Sequence, residues 1–95
     1  MGSFYGIQDI SHSQERLLTT LFKFRAASGF DLWKAINMDD KIKTSYTNTL
    51  FNLRVLHQRG IITKIRKGRR IIYAFNGGIL REISKQIEEI KENGK

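Results

Sequence analysis

Residues 44–75 read TSYTNTLFNLRVLHQRGIITKIRKGRRIIYAF, and the rest of the architecture can be worked out from this segment. Its first half, residues 44–59, predicts a helix that Gly60 ends. The expected core stripe of this helix consists of Tyr46, Leu50, Leu53 and Leu56. The opposite side carries Thr44, Thr47, Asn48, Phe51 and Val55. One side of the helix is therefore expected to be buried, while small polar groups near its start remain free to contact a partner.

The second half of the segment predicts a β-hairpin. Residues 61–66 and 70–75 are β-branched and aromatic runs on either side of a Lys-Gly-Arg loop. A loop with an odd number of residues gives a single apolar face. It pairs Arg66 with Arg70, Ile65 with Ile71, Thr63 with Tyr73, and Ile61 with Phe75. A two-residue loop is expected to place Ile65 against Arg70, so we favour the odd loop.

An arm and a first helix are predicted before this segment. Residues 2–10 lack clear periodicity and indicate an extended arm. Ser11 and Gln14 have the spacing of a capping box, and the helix that they open is predicted over residues 13–28, with Gly29 as its stop.

A short second helix links the first helix to the long one. Asp31 is its predicted N-cap, and the helix is expected to end near Asn37, with Asp39 and Asp40 in the following turn. Its apolar residues are Leu32, Trp33 and Ile36.

The last helix follows Asn76, Gly77 and Gly78. Its apolar residues are spaced three, four and three apart, which is the pattern of a heptad seam. These predicted dimerisation residues are Leu80, Ile83, Ile87 and Ile90. Docking of this helix on its own domain is the alternative, but the mixed charges around the seam favour self-association.

Positive charge is concentrated in the middle of the chain. The 95 residues carry a net charge of +8, yet residues 41–81 contain ten basic residues and no acid. Five of the seven residues 64–70 are basic. A surface charged only for solubility mixes the two signs, so this segregation predicts a polyanionic partner. Nucleic acid is favoured over an acidic membrane surface.

Composition excludes several classes of site. The chain has no cysteine, which removes disulfides, thiolate metal sites and cysteine nucleophiles. No Gly-rich phosphate loop, nucleophile beside a base, or set of carboxylates is visible, so we expect no enzyme activity and no cofactor or metal. No signal-peptide pattern and no apolar run of about 20 residues is present, and a cytoplasmic, nucleoid-associated protein without membrane contact is expected.

The elements together follow the order helix, short helix, longer helix, two-stranded hairpin and helix, with the most basic point at the hairpin tip. This is the order of winged helix-turn-helix proteins. Residues 52–56 (NLRVL), 60–62 (GII), 68–70 (GRR) and Tyr73 resemble the recognition helix, wing and post-wing tyrosine of ArsR-type regulators. The resemblance covers about residues 14–90 and implies an α+β fold with a three-helix core, a two-stranded wing and a C-terminal helix.

Further features relate the chain to other winged-helix regulators. Residues 29–32 (GFDL) are similar to the entry of the second helix in PadR-type regulators, and the leucine, Gly and Ile pattern is shared by ArsR, MarR and PadR proteins. Metal-sensing ArsR proteins use Cys or His clusters, whereas His12 and His57 stand alone here. The implied organisation is an arm (residues 1–10), a winged-helix DNA-binding domain (11–78) and a dimerisation helix (79–95).

This resemblance assigns roles to the polar and basic residues. The long helix is expected to enter the major groove of double-stranded DNA, where small polar side chains contact base edges. Its predicted contacts are Lys43, Thr44, Ser45, Thr47, Asn48 and Asn52, with helix capping as the alternative for Thr44 and Ser45. The predicted wing contacts to phosphate are Lys64, Arg66, Lys67, Arg69 and Arg70. Trp33, Tyr46 and Phe51 are expected in the core rather than stacked on single-stranded bases.

Three functions fit these expectations. The first is a homodimeric transcription regulator that binds a roughly palindromic, specific site. The second is a DNA segregation (centromere-binding) or architectural protein that coats DNA. The third, ranked last, is a protein-interaction module whose basic wing binds a partner with an acidic surface.

Overall fold

The computed structural model of the chain describes residues 2–38 and 43–93, so the predicted turn at Asp39 and Asp40 lies outside the described residues. The α+β fold is confirmed. The helices are α1 (His12–Phe24), α2 (Gly29–Ile36), α3 (Tyr46–Gln58) and α4 (Gly77–Asn93). The strands are β1 (Gly2–Phe4), β2 (Ile7–Ile10), β3 (Ala26–Ser28), β4 (Ile62–Lys67) and β5 (Arg70–Phe75). Within the described residues, no helix combines the length and apolar character needed to cross a bilayer.

Helix α1 begins as expected and ends early. The Ser11 hydroxyl accepts from the Gln14 backbone N–H at 3.1 Å, and the Gln14 side chain accepts from the Ser11 backbone N–H at 3.0 Å. The predicted stop at Gly29 is wrong, because Arg25 closes the helix with a φ of 69°. The residues that follow form β3, which pairs antiparallel with β5. Strand pairing here overrides the helical tendency of an Ala-Ala-Ser sequence.

Helix α2 is capped three residues earlier than predicted. The Ser28 hydroxyl accepts from the Asp31 backbone N–H at 3.2 Å, so Ser28 is the N-cap and Asp31 lies in the first turn. Gly29 is the first residue of α2. A Cβ at this position would lie 2.9 Å from the Leu50 side chain, so glycine permits the close approach of α2 and α3.

The wing hairpin has a different register from the one predicted. Lys67 lies opposite Arg70, so Gly68 and Arg69 form a two-residue turn, and Ile65 faces Ile72. Gly68 has a φ of 61°, and glycine at the first position of such a turn is typical of type II′ hairpins. The prediction of a loop with an odd number of residues is therefore wrong. The expectation that a two-residue loop pairs Ile65 with Arg70 is also wrong.

The base of the wing contributes to the core, and its outer half does not. Ile62 lies opposite Phe75, and both are buried. Ile65 and Ile71 are 41% and 46% exposed, because the outer part of the hairpin extends beyond the helices. The predicted apolar face assumed burial along the whole hairpin, and that assumption selected the wrong register.

The N-terminal segment is a hairpin packed on the core rather than an extended arm. Strands β1 and β2 pair antiparallel, and they bring Phe4 and Ile10 into the hydrophobic core. The Arg59 guanidinium, at the end of α3, donates to the Gln8 and Asp9 carbonyls at 2.8 and 3.0 Å. These bonds join the hairpin to the last turn of α3.

Helix α4 uses most of its seam inside the chain. Ile83 is fully buried, and Leu80 and Ile87 pack against the core as partly buried residues. Ile90 is 60% exposed. Docking on the domain, the alternative that the sequence left open, therefore describes the first part of the helix.

Ile83→Ala is expected to lower the free energy of unfolding by about 2–5 kcal/mol, because it empties a site with no solvent access. Ile65→Ala removes the same atoms from an exposed strand position and is expected to cost under about 1 kcal/mol. Urea unfolding followed by circular dichroism measures both. Equal losses for the two variants would contradict the docking of α4 on the core.

Candidate nucleic-acid interface

The start of α3 is fixed by hydrogen bonds between the end of α2 and the residues that precede α3. The Trp33 indole N–H donates to the Thr44 carbonyl at 2.8 Å. The Asn37 side chain donates to the Trp33 carbonyl at 2.9 Å and accepts from the Thr44 N–H at 3.0 Å. These bonds hold the end of α2 to Thr44, which precedes the N-cap of α3. They set the direction in which α3 leaves the core.

Thr44 and Ser45, the two polar residues before α3, make hydrogen bonds to the start of this helix. Helix α3 is called the reading helix below. The Ser45 hydroxyl accepts from the Asn48 backbone N–H at 3.0 Å, so Ser45 is the N-cap. The Thr44 hydroxyl accepts from the Asn48 side-chain amide at 3.0 Å. The predicted alternative of helix capping is thus present at Ser45, while Thr44 instead contacts the Asn48 side chain. Lys43 is exposed just before this turn.

Asn52 lies on the buried side of α3, contrary to its predicted role at the DNA surface. It is 7% exposed. Its amide donates to the Asn48 carbonyl at 3.1 Å, and its oxygen accepts from the Gln14 side chain at 3.3 Å. Asn52 therefore connects α1 to the reading helix, and its side chain does not face solvent.

The buried side of α3 is rotated relative to the predicted stripe. It consists of Thr49, Asn52, Leu53 and Leu56. Tyr46 and Phe51 are 40% and 57% exposed, so their predicted place in the core is wrong, and Trp33 is only partly buried. Two of the buried residues, Thr49 and Asn52, are polar, so a search for apolar spacing does not detect them.

The exposed side of the reading helix and the wing offer complementary groups. Thr47, Asn48, Phe51 and Arg54 are exposed along α3. All five predicted wing residues are exposed, namely Lys64, Arg66, Lys67, Arg69 and Arg70. Arg70 also contacts the Asp31 carboxylate of α2 at 3.3 Å. Because both side chains are at least half exposed, this pair adds little stability, but it directs Arg70 toward α2.

A cleft of about 550 Å³ separates the reading helix from the wing. Among the residues that the structure describes, four basic side chains and no acidic one line this basic cleft: Arg54, Lys64, Arg69 and Arg70. Its aromatic lining consists of Phe30, Tyr46 and Tyr73. Lys64 lies opposite Tyr73 in the hairpin, so the two side chains share the face turned toward α3. The described lining of the cleft is therefore positively charged.

The aromatic wall of the basic cleft is continuous with the helix-turn-helix contact. The rings of Phe30, Trp33 and Tyr46 lie 5.6 to 6.2 Å apart in pairs. Burial raises the pKa of Tyr73 above 10.0, Tyr46 adds to this rise, and Arg54 opposes it. A phenol of ordinary pKa is already protonated at neutral pH, and the raised pKa of Tyr73 extends the pH range over which this hydroxyl stays neutral.

Sequence reasoning did not assign Arg54 or Tyr46 to this surface. Arg54 follows Leu50 by four residues and Tyr46 by eight, so helical spacing could have placed all three on one side. The position of Phe30 depends on the close contact of α2 with α3, which no local pattern shows. Among the described residues, no three His, Asp or Glu side chains are grouped so that they could hold a metal ion.

Comparison with known proteins identifies the fold. No protein-family model and no curated protein sequence matches the chain. Solved structures do match. RosR of H. salinarum is 18% identical over 90% of this chain and 78% of that chain, with a TM-score of 0.70. A MarR variant from E. coli, complexed with operator DNA, is 12% identical over 95% of this chain and 62% of that chain, with a TM-score of 0.68.

A third match is of nearly equal length. A transcriptional regulator from Clostridium thermocellum is 16% identical over 90% of this chain and 92% of that chain, with a TM-score of 0.64. These matches agree with the three-helix core, the β3-β5-β4 sheet and the wing described above. The chain has the winged helix-turn-helix fold that the sequence resemblance implied.

Proposed function

We propose that this chain is a sequence-specific, double-stranded DNA-binding protein that acts as a homodimeric transcriptional regulator. The observation that carries the proposal is the basic cleft. It lies between the exposed reading helix and the wing, and no acidic side chain of the described residues lines it. A MarR variant of the same fold is known in complex with operator DNA, and another protein of this fold is a transcriptional regulator. Both relationships support the proposal at the level of architecture.

The mechanism divides base contact from phosphate contact. The exposed side of α3 enters the major groove and brings Thr47 and Asn48 to base edges. The basic cleft receives the phosphate backbone at the edge of that groove, between Arg54 on the helix and Lys64 on the wing. The turn residue Arg69 and its neighbours reach the flanking phosphates or the minor groove. Affinity then depends on the wing and the cleft, and sequence choice depends on α3.

Dimerisation in this proposal uses the exposed end of α4. Since Ile83 is fully buried within its own chain, the surface open to a second copy is centred on Ile90, with the partly buried Ile87 one turn before it. A two-fold arrangement places two reading helices about 34 Å apart, one turn of DNA. This spacing suits a roughly palindromic site.

Binding to the duplex upstream of the protein's own gene, and to a random duplex of equal length, tests DNA binding. Fluorescence anisotropy across a salt series is expected to show affinity that falls steeply with salt for both duplexes. Arg69→Ala is expected to weaken both and to reduce the log–log slope by about 0.9 for each phosphate that the arginine neutralises. Lys23→Ala removes an exposed charge from α1, outside the interface, and should leave the slope unchanged. No binding at low salt would refute the proposal.

Asn48→Ala tests base contact. It is expected to reduce the preference for the upstream duplex by about 1–3 kcal/mol, with little change in binding to the random duplex. Arg69→Ala is the matched comparison, since a phosphate contact affects both duplexes alike. Equal wild-type affinity for both duplexes would instead indicate a DNA-coating or segregation protein.

Ile90→Glu tests the dimer. A carboxylate in the centre of an apolar contact is expected to shift the protein toward the monomer in sedimentation velocity, without loss of the folded circular dichroism signal. Lys91→Gln is the control, because it also lowers the net charge by one at an exposed position on the same turn. A wild-type monomer at tens of micromolar, on the specific duplex as well as free, would contradict the homodimer.

A further inference from the structure

Phe51 is the most exposed apolar side chain of the reading helix, at 57%. It lies outside the hydrophobic core cluster. Several other apolar side chains, including Phe24, are equally exposed, so what distinguishes Phe51 is its place on the same exposed face of the reading helix as Thr47, Asn48 and Arg54.

The position of Phe51 on the helix is central to the face that leaves the core. At about 100° per residue, its side chain points roughly 200° away from the buried Thr49. Thr47 and Asn48 lie one turn before Phe51 on the same face, and Arg54 lies one turn after it. Phe51 therefore lies between the two proposed base-contacting residues and a cleft-lining arginine.

We infer that Phe51 contacts the 5-methyl groups of thymine in the major groove and thereby determines part of the sequence choice, an inference that rests on the proposed function. The thymine methyl is an apolar group that the major-groove edge presents, and side chains such as Phe pack on it. The phenyl ring cannot hydrogen-bond, so a polar edge of guanine or cytosine beneath it loses water without gaining a partner.

Charge selects DNA as the occupant of this face. The nearest charged side chain one turn along the helix is Arg54, and no acidic residue within 2–38 and 43–93 lines the adjoining basic cleft. A protein partner that covers Phe51 would have to be strongly acidic, whereas DNA supplies the phosphates and the methyl groups together.

The experiment begins with selection of bound duplexes from a random pool by the full-length protein and by Phe51→Ala. Each thymine of the wild-type consensus is then replaced by deoxyuridine, which removes only the methyl group. For at least one position, this replacement is expected to weaken wild-type binding about fourfold, the value for one buried methyl group. The same replacement should not weaken binding by Phe51→Ala, as a double-mutant cycle requires for a direct contact.

Phe24→Ala is the matched control, because Phe24 is 50% exposed on α1 and lies outside the proposed interface. It should retain the wild-type consensus and the loss on deoxyuridine replacement. Both variants alter exposed side chains and are expected to melt at the wild-type temperature.

The outcomes separate the role of Phe51 from DNA recognition itself. A specific consensus whose thymines all tolerate deoxyuridine, or the same loss in wild type and Phe51→Ala, overturns the inference and leaves the proposed regulator intact. Salt-dependent binding that yields no consensus overturns both the inference and the sequence-specific function. Loss of the methyl effect only in Phe51→Ala is the expected result.

Discussion

The hydrogen bonds around Thr44 and Asn52 hold the reading helix, and the rest of the interface depends on them. Trp33 and Asn37 fix Thr44, which precedes the N-cap of α3, while Gln14 and Asn52 connect α1 to the middle of α3. The partners are mostly half-buried, where the loss of a hydrogen bond costs about 1–3 kcal/mol because the remaining group stays desolvated. The helix therefore leaves the core in one defined direction, and a reading helix requires such a direction.

The same framework explains where the positive charge acts. The wing is fixed at its base by Ile62, Tyr73 and Phe75, and only its outer half projects from the core. Lys64 and Arg54 face each other across the basic cleft because one lies opposite Tyr73 in the hairpin and the other lies on the cleft side of α3. Tyr73 adds no charge to this space, because a tyrosine hydroxyl is neutral at physiological pH and burial raises its pKa further. The basic residues that are clustered in the sequence thus produce a positive electrostatic potential around the cleft.

Sequence patterns predicted the order of the elements well, and their contacts less well. The capping box at Ser11 was confirmed because it depends on groups three residues apart. Strand β3 was missed because its partner lies more than 40 residues away, and the hairpin register was wrong because it depends on how far the wing projects. The rotation of α3 was missed because Thr49 and Asn52 are buried with hydrogen-bond partners, which apolar periodicity does not register. The five basic wing residues are exposed, as a surface role requires, and their contact with DNA stays a prediction.

The use of α4 limits how a second copy can bind. Ile83 is committed to the core, so a partner cannot pair with the whole heptad seam without unfolding part of the domain. The hairpin β1–β2 lies against the same helix. Gly6, in its turn, is so close to the Gln86 side chain that an added Cβ would collide with it. A dimer formed around Ile90 is therefore built on a helix whose orientation is already set by its own domain. Since α3 belongs to that same core, the α4 contact in the proposed dimer would set the distance between the two reading helices with little freedom to adjust.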